Sequence, residues 1–421
     1  MKLKSKFVVL IISAVVLLVL YTLLSSGVSG NKTVTAHKKN KHSPETPVNP
    51  HLIALANEFD SAFQLLMQKH NQPGASVAIV YDSTIILLQG YGLKEVGTAD
   101  SVNIYTVYRL ASVSKPFASF LTGILVEDKI LNWNQTVLQH WPGFRLKSSN
   151  YTKSVTLRHV LSHSTGLPYH TYTNMIEEAL PFDTLISYLR DIKLVSEPGT
   201  LYSYQNVGYS LIGKVVSEAT DKSYETQLKE QVFEPLGMNN ASTDYQSFVS
   251  NSNIAQPHIL NSGKMRPTQI RNTYYNVSPA GGVNASIQDM AQWLKALLGN
   301  REDVIKKSTI DSLFTPQVLA NSRNRNFNQW QRVQKAYYGL GWRIINFSRD
   351  TMVYHGGYVT GYRSEVALLP SEKIAICVLT NAPGVVADTS LPLFFQIFDK
   401  HRAAINQWKP ANSVTNPSIT E

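Results

Sequence analysis

A single cysteine in 421 residues leaves little scope for covalent or metal cross-linking. Cys377 cannot pair within the chain or build a thiolate zinc cluster. It sits in the apolar run Ile374-Ala375-Ile376-Cys377-Val378-Leu379 and reads as a buried strand residue. Acids are missing from the first 44 positions, which hold Lys2, Lys4, Lys6, Lys32, Lys38, Lys39 and Lys41. Setting these seven aside leaves 32 basic and 29 acidic residues, so the +10 formal charge of the whole chain falls to +3. A nearly balanced remainder argues against a nucleic-acid partner. Gly-x-Ser-x-Gly is also absent, which argues against an α/β-hydrolase. Gly208 to Lys214 imitates a phosphate loop, but Val215 stands where the metal-binding hydroxyl belongs, and nucleotide binding is rejected. His159 and His163 lack an intervening glutamate and read as structural histidines rather than metal ligands. No cofactor is called for.

Three lysines precede an apolar run from Phe7 to Leu24. The order is that of a targeting segment. Its 18 residues exceed a usual signal core and approach a membrane span, which favours an uncleaved anchor over a cleaved peptide. Residues 1–30 are thus expected to be a signal or anchor segment. The domain is placed in the periplasm or otherwise outside the cytoplasm, touching membrane only through that segment. Residues 31–50, basic and ending in Pro44, Pro47 and Pro50, read as a flexible linker. Residues 51–400 form the folded domain and 401–421 a polar tail.

Apolar residues at helical spacing (Leu52, Leu55, Ala56, Phe59, Phe63, Leu66) predict an amphipathic helix over 51–70. Strands are expected at about 76–81 and 85–91, and again at about 339–346, 351–355, 362–369 and 373–380, with a final helix near 386–400. Between them lies a long, mainly helical middle, roughly 112–298. The fold class expected is α/β in its α+β arrangement. One antiparallel sheet, closed by N- and C-terminal segments and flanked by helices, carries an inserted helical subdomain, with a groove where the two meet.

Three short patterns carry chemistry. In Ala111-Ser112-Val113-Ser114-Lys115-Pro116-Phe117, Ser112 and Lys115 share a helix face, and Pro116 fits a first turn. A serine there sits by free N–H groups that favour a developing anion, and a lysine made neutral by burial can take its proton. In Pro198-Gly199-Thr200-Leu201-Tyr202-Ser203-Tyr204-Gln205-Asn206, Tyr204 and Asn206 point the same way if the segment is extended. Tyr204, its pKa lowered beside a cationic lysine, could shuttle a proton; Asn206 could orient a substrate amide. In Tyr354-His355-Gly356-Gly357-Tyr358, paired glycines would let a substrate lie along the strand, and the N–H of Tyr358 could join that of Ser112 in an oxyanion hole. Each pattern alone is weak: Ser29 and Lys32 repeat the first spacing in the linker.

Taken in this order, the three resemble the serine β-lactamase-like family of class C β-lactamases, D-alanyl-D-alanine carboxypeptidases and related esterases. The likeness extends to Val155-Thr156-Leu157-Arg158-His159-Val160-Leu161-Ser162-His163-Ser164-Thr165-Gly166-Leu167-Pro168, to Pro279-Ala280-Gly281-Gly282-Val283-Asn284-Ala285-Ser286 followed by Asp289, and to Tyr338-Gly339-Leu340-Gly341-Trp342. The resemblance implies a β-lactamase/transpeptidase-like fold and an acyl-enzyme on Ser112. Lys115 and Tyr204 would share the proton work, with the acylation base open between them. Asn206 would hold Lys115 and the substrate amide, and His355 and Gly357 would line the strand side. His355 stands where β-lactamases place lysine, and Gly356 replaces a threonine hydroxyl. A mostly neutral histidine weakens the grip on a substrate carboxylate, and Arg363 is the candidate replacement cation. The expected substrate is a small molecule or peptidoglycan peptide. β-Lactamase-like or D-alanyl peptidase activity ranks narrowly ahead of esterase activity. A non-hydrolytic peptidoglycan-binding protein is the alternative of a different class.

Overall fold

The computed structural model describes residues 49–320, 330 and 333–409. The targeting run, nearly all of the linker and residues 410–421 of the tail lie outside the described residues.

The N-terminal helix runs Pro50–Lys69 and buries Leu52, Leu55, Ala56, Phe59, Phe63 and Met67. The stripe is the expected one except that Met67, not Leu66, completes it. Strands β1 (Gly74–Tyr81) and β2 (Thr84–Gly92) follow as a hairpin whose turn residue Asp82 takes a positive φ of 53°. The middle of the chain is mostly helical, as expected. It also carries β3 (Val107–Arg109) paired with β6 (Asn284–Ser286), and a hairpin of β4 (His258–Asn261) and β5 (Lys264–Pro267). These short strands lack a period-2 run long enough to be seen in sequence. Strands β7 (Val318–Ala320), β8 (Lys335–Tyr338), β9 (Arg343–Asn346), β10 (Thr351–Val359), β11 (Tyr362–Leu369) and β12 (Ile374–Thr380) complete the main sheet.

Among the described residues that sheet has eight antiparallel strands in the order β2-β1-β12-β11-β10-β9-β8-β7. β1 pairs with β12 from Ala75↔Thr380 to Tyr81↔Ile374, so strands from the two ends of the domain close one sheet, one strand in from its β2 edge, as the strand distribution predicted. One face carries Val77, Ile79, Ile376 and Val378 against the N-terminal helix and the C-terminal helix Val385–Gln407. Phe59 meets Phe394 edge to face at 5.4 Å between these helices. Each fully buried phenylalanine contributes roughly 1.5–3 kcal/mol. The C-terminal helix continues seven residues past the predicted boundary at 400, because Arg402 and Ile405 are buried and hold it to the domain. The other face carries Ala78, Val80, Cys377 and Leu379 against the helical insertion. Cys377 is fully buried in β12, as read.

Candidate functional site

Ser112 lies in a 3₁₀ turn, Ala111–Val113, and the helix proper starts at Ser114. The sequence had placed it at the helix start; the turn sets it one step earlier. Ala111 takes a positive φ of 49°, a conformation rarely adopted by residues with a side chain. Two bonds hold the turn: Leu110 N–H donates to Val283 O at 2.9 Å, and Ser364 Oγ donates to Leu110 O at 2.6 Å.

Lys115, in the first turn of the helix Ser114–Glu127, has no solvent exposure. Its Nζ lies 2.7 Å from Asn206 Oδ1, 2.9 Å from Ala280 O and 3.4 Å from Ser112 Oγ. Burial, helped by the positive charge of Arg343, pushes its pKa well below the usual lysine range. Tyr204 donates its hydroxyl to Ser112 Oγ at 2.9 Å, and Lys115 Nζ stands 4.6 Å from its ring centre. Contrary to expectation, the phenol is raised rather than lowered. Burial dominates, while Arg343 and the bond to Ser112 work against it. The expected lysine cation is itself destabilised by burial. Asn206 opens the helix Asn206–Thr220 and is nearly buried. That helix also absorbs the glycine–lysine segment 208–214, which is plain helix.

On the strand side the structure sorts the predicted residues by face. His355 is fully buried, with Nδ1 3.0 Å from Gly356 O and Nε2 3.0 Å from Tyr338 Oη. A carbonyl only accepts, so Nδ1 carries the proton and Nε2 accepts from Tyr338. Burial, then Arg343 and Lys115, hold its pKa well below the usual histidine value. His355 is therefore neutral, as read, but it is a packing group rather than a wall of the groove. A Cβ on Gly357 would overlap the Leu110 carbonyl oxygen and Ser364 Oγ and come 3.1 Å from Ser112 N. One on Gly356 would point the other way, 2.5 Å from Tyr354 Oη and 2.8 Å from Glu365 Oε2. Both glycines are required by close packing, Gly357 against the Ser112 turn and Gly356 against Tyr354 and Glu365.

Tyr358 sits near the end of β10. Val359 pairs with Tyr362 across a two-residue turn, so by antiparallel alternation the N–H of Tyr358 points away from β11. On that side β9 stops at Arg343, opposite Tyr354, and leaves this part of β10 open. The Tyr358 side chain is 56% exposed.

Arg363 is a correction. It shares a face with Glu365, opposite Ser364, and pairs with Glu365 and, at 3.1 Å, with Asp388 of the C-terminal helix. Tyr354 Oη donates to the same Glu365 at 2.7 Å. Strand alternation thus carries Arg363 behind the sheet, away from Ser112.

Two residues beside the site were not assigned to it from sequence: His163, read only as a structural histidine, and Arg343. His163, in its left-handed turn (φ 57°), lays its ring 4.3 Å from that of Tyr204 and accepts from Gln205 N–H on Nδ1 at 3.1 Å. Its place in the quoted segment 155–168 was the only signal. His159 instead caps its own helix, its Nδ1 accepting from Thr156 N–H at 3.2 Å. Arg343, 5% exposed, puts its guanidinium carbon 5.7 Å from the Tyr204 ring centre and 5.8 Å from that of Tyr354. No sequence pattern marked it.

An antiparallel sheet with a helical insertion, and a serine bonded to a tyrosine beside a buried lysine, are the features of a β-lactamase-like serine hydrolase. The chain belongs to the Beta-lactamase family, whose sequence model matches residues 59–392. It is 26% identical over 391 residues to Beta-lactamase-like protein 4 of Dictyostelium discoideum, 85% of this chain and 66% of that one. It is 24% identical over 357 residues to an unguisins hydrolase of Aspergillus campestris, 82% of this chain and 65% of that one. Protein flp of Staphylococcus aureus shares 24% over 329 residues, 77% of this chain and 62% of that one. The chain thus spans 62–66% of these relatives' lengths. In structure it resembles the octameric penicillin-binding protein homologue from Pyrococcus abyssi, with a TM-score of 0.70 and 25% identity over 81% of this chain and 77% of that one.

Proposed function

We propose that the protein hydrolyses an ester or amide through an acyl-enzyme on Ser112, with Lys115 as the acylation base. One observation carries this: Lys115 Nζ, without solvent exposure and held by Asn206 Oδ1 and Ala280 O, lies 3.4 Å from Ser112 Oγ. A neutral amine has two N–H groups and one lone pair. The N–H groups go to Asn206 Oδ1 and Ala280 O, which leaves the lone pair for the Ser112 hydroxyl. Tyr204 donates to the same oxygen and is placed to pass a proton to the leaving group. Ser112 Oγ attacks the carbonyl carbon as its proton moves to Lys115. The N–H groups of Ser112 and Tyr358 receive the oxyanion. Asn206 fixes Lys115 and offers its amide nitrogen to the substrate. A water then repeats the sequence on the acyl-enzyme.

The substrate ranking shifts from the sequence reading. His355 is neutral and buried, and Arg363 is paired behind the sheet. Two of the groups that would hold a substrate carboxylate are thereby removed. This supports neutral esters and amides ahead of cephalosporins and D-alanyl peptides. The lysine-led apolar run at 7–24 supports a site of action outside the cytoplasm. The test is a parallel assay of a short-chain nitrophenyl ester, a D-alanyl-D-alanine peptide and a chromogenic cephalosporin. The ester should turn over fastest. Cephalosporin turnover at the efficiency of a dedicated β-lactamase would contradict the ranking.

A further inference from the structure

Arg343 is a buried guanidinium without an acid. Among the described residues it makes no ion pair with a carboxylate, and its Nε has no hydrogen-bond partner. Its neighbours are Tyr202, Tyr204, Tyr338 and Tyr354. Burial opposes its charge, but a guanidinium does not give up its proton in the working range, and the four tyrosines favour the charged form. A buried charge normally costs several kcal/mol unless it is paired. Here it stands beside the candidate base, and no described carboxylate accounts for it.

Resting on the acyl-enzyme reading, we propose that Arg343 is a positioning residue of the Ser112 site, whose permanent charge keeps Lys115 free of its proton. The geometry sets the scale. Lys115 Nζ and the Arg343 guanidinium carbon lie 4.6 and 5.7 Å from one ring centre, that of Tyr204. The two charges are therefore at most about 10 Å apart, where repulsion at an effective dielectric near 20 shifts a lysine by about one pH unit. The other titratable groups facing Lys115 do not supply this charge. Tyr204 and Tyr209 (5.6 Å to its ring centre) are phenols raised by burial. His163 and His355 are held well below the usual histidine value by burial, and His170 is lowered by partial burial and by Lys115. Tyr338 is likewise raised by burial. Arg343 is thus the cation among them that does not titrate over the working range.

The test reads Ser112 modification by an uncharged alkyl fluorophosphonate as a function of pH, in wild type, Arg343→Met and Arg343→Lys. In that step the Ser112 Oγ–P bond forms, P–F breaks, fluoride leaves and the serine proton passes to Lys115. The acid limb of the rate should move about one pH unit to the alkaline side in Arg343→Met and stay near its wild-type place in Arg343→Lys. The urea midpoint of Arg343→Met should equal or exceed that of wild type, because no acid is orphaned. An unmoved limb in a folded Arg343→Met protein overturns the proposal, as does an equal move in Arg343→Lys. Loss of D-alanyl-D-alanine peptide turnover with an unmoved limb would assign the charge to substrate binding and also overturn it. Failure of the wild type to be modified at Ser112 is a different result, which refutes the acyl-enzyme reading itself.

Discussion

Two adjacent glycines on β10 give a sharp contrast, because they face opposite sides of the sheet. Gly357→Ala would drive a methyl group into the Leu110 carbonyl oxygen, Ser364 Oγ and the space 3.1 Å from Ser112 N. Two of those three contacts are main-chain atoms of the nucleophile turn, which cannot rotate away. β10 and the turn must separate, and with them the N–H groups of Ser112 and Tyr358 that are proposed to receive the oxyanion. Losing one such donor costs about 10²–10³ in rate, and a displacement near 1 Å costs a similar amount. Gly356→Ala instead meets Tyr354 Oη and the Glu365 carboxylate, behind the sheet. Overpacking there costs about 1–3 kcal/mol of stability and leaves the Ser112 geometry alone. The assay is kcat/KM on a neutral nitrophenyl ester together with the urea midpoint of each variant. The expectation is a folded Gly357→Ala protein that is about 10²–10³-fold slow, and a Gly356→Ala protein that is less stable but within severalfold of wild-type rate. A Gly357→Ala protein with wild-type rate would refute the placement of Ser112 against β10. So would a folded Gly356→Ala protein that is as slow as Gly357→Ala.

Two further outcomes follow from buried charge. Arg363→Leu removes the partner of the fully buried Glu365 and should cost about 3–5 kcal/mol of stability. KM for a D-alanyl-D-alanine peptide should not change; a raised KM with unchanged stability would return Arg363 to the substrate side. His163 and His355 are both held well below the usual histidine value by burial, so the unfolded chain binds protons near pH 6.5 that the native state refuses. Their share of stability is complete above pH 6.5 and falls as the pH drops, by at most about 1.4 kcal/mol per unit for each. His355→Gln should flatten the fall in urea midpoint between pH 6.5 and 5 relative to wild type. The raised carboxyls of Asp289 and Glu365 are common to both proteins and cancel. Equal pH slopes would contradict the buried, neutral His355.

Six of the main sheet's strands were legible because they are written as apolar runs, whereas β7 and β8, too short to show a pattern, were not. Ile374–Leu379 and the Asp82 turn leave little choice. The short pairs β3–β6 and β4–β5 were not, since three or four residues carry no period and their pairing is decided by distant chain. At the site, Ser112, Lys115, Tyr204 and Asn206 were found from spacing and order. What spacing could not supply was face and partner. Alternation along β11 turns Arg363 toward Asp388 rather than the groove, and the room at Gly357 is filled by the nucleophile's own turn. Arg343 was invisible because its meaning comes from four tyrosines on three separate segments of the chain. The direction of the Tyr204 shift was misjudged because burial, which no sequence displays, acts on the lysine and the tyrosine together.

The central claim is that Ser112 is the acylated nucleophile. Mass spectrometry after treatment with an uncharged fluorophosphonate tests it most directly, with wild type and Ser112→Ala side by side. The account predicts one stoichiometric adduct on the wild-type peptide that carries Ser112, and none on Ser112→Ala. An adduct of equal yield on Ser112→Ala, or no adduct on folded wild-type protein, would contradict it.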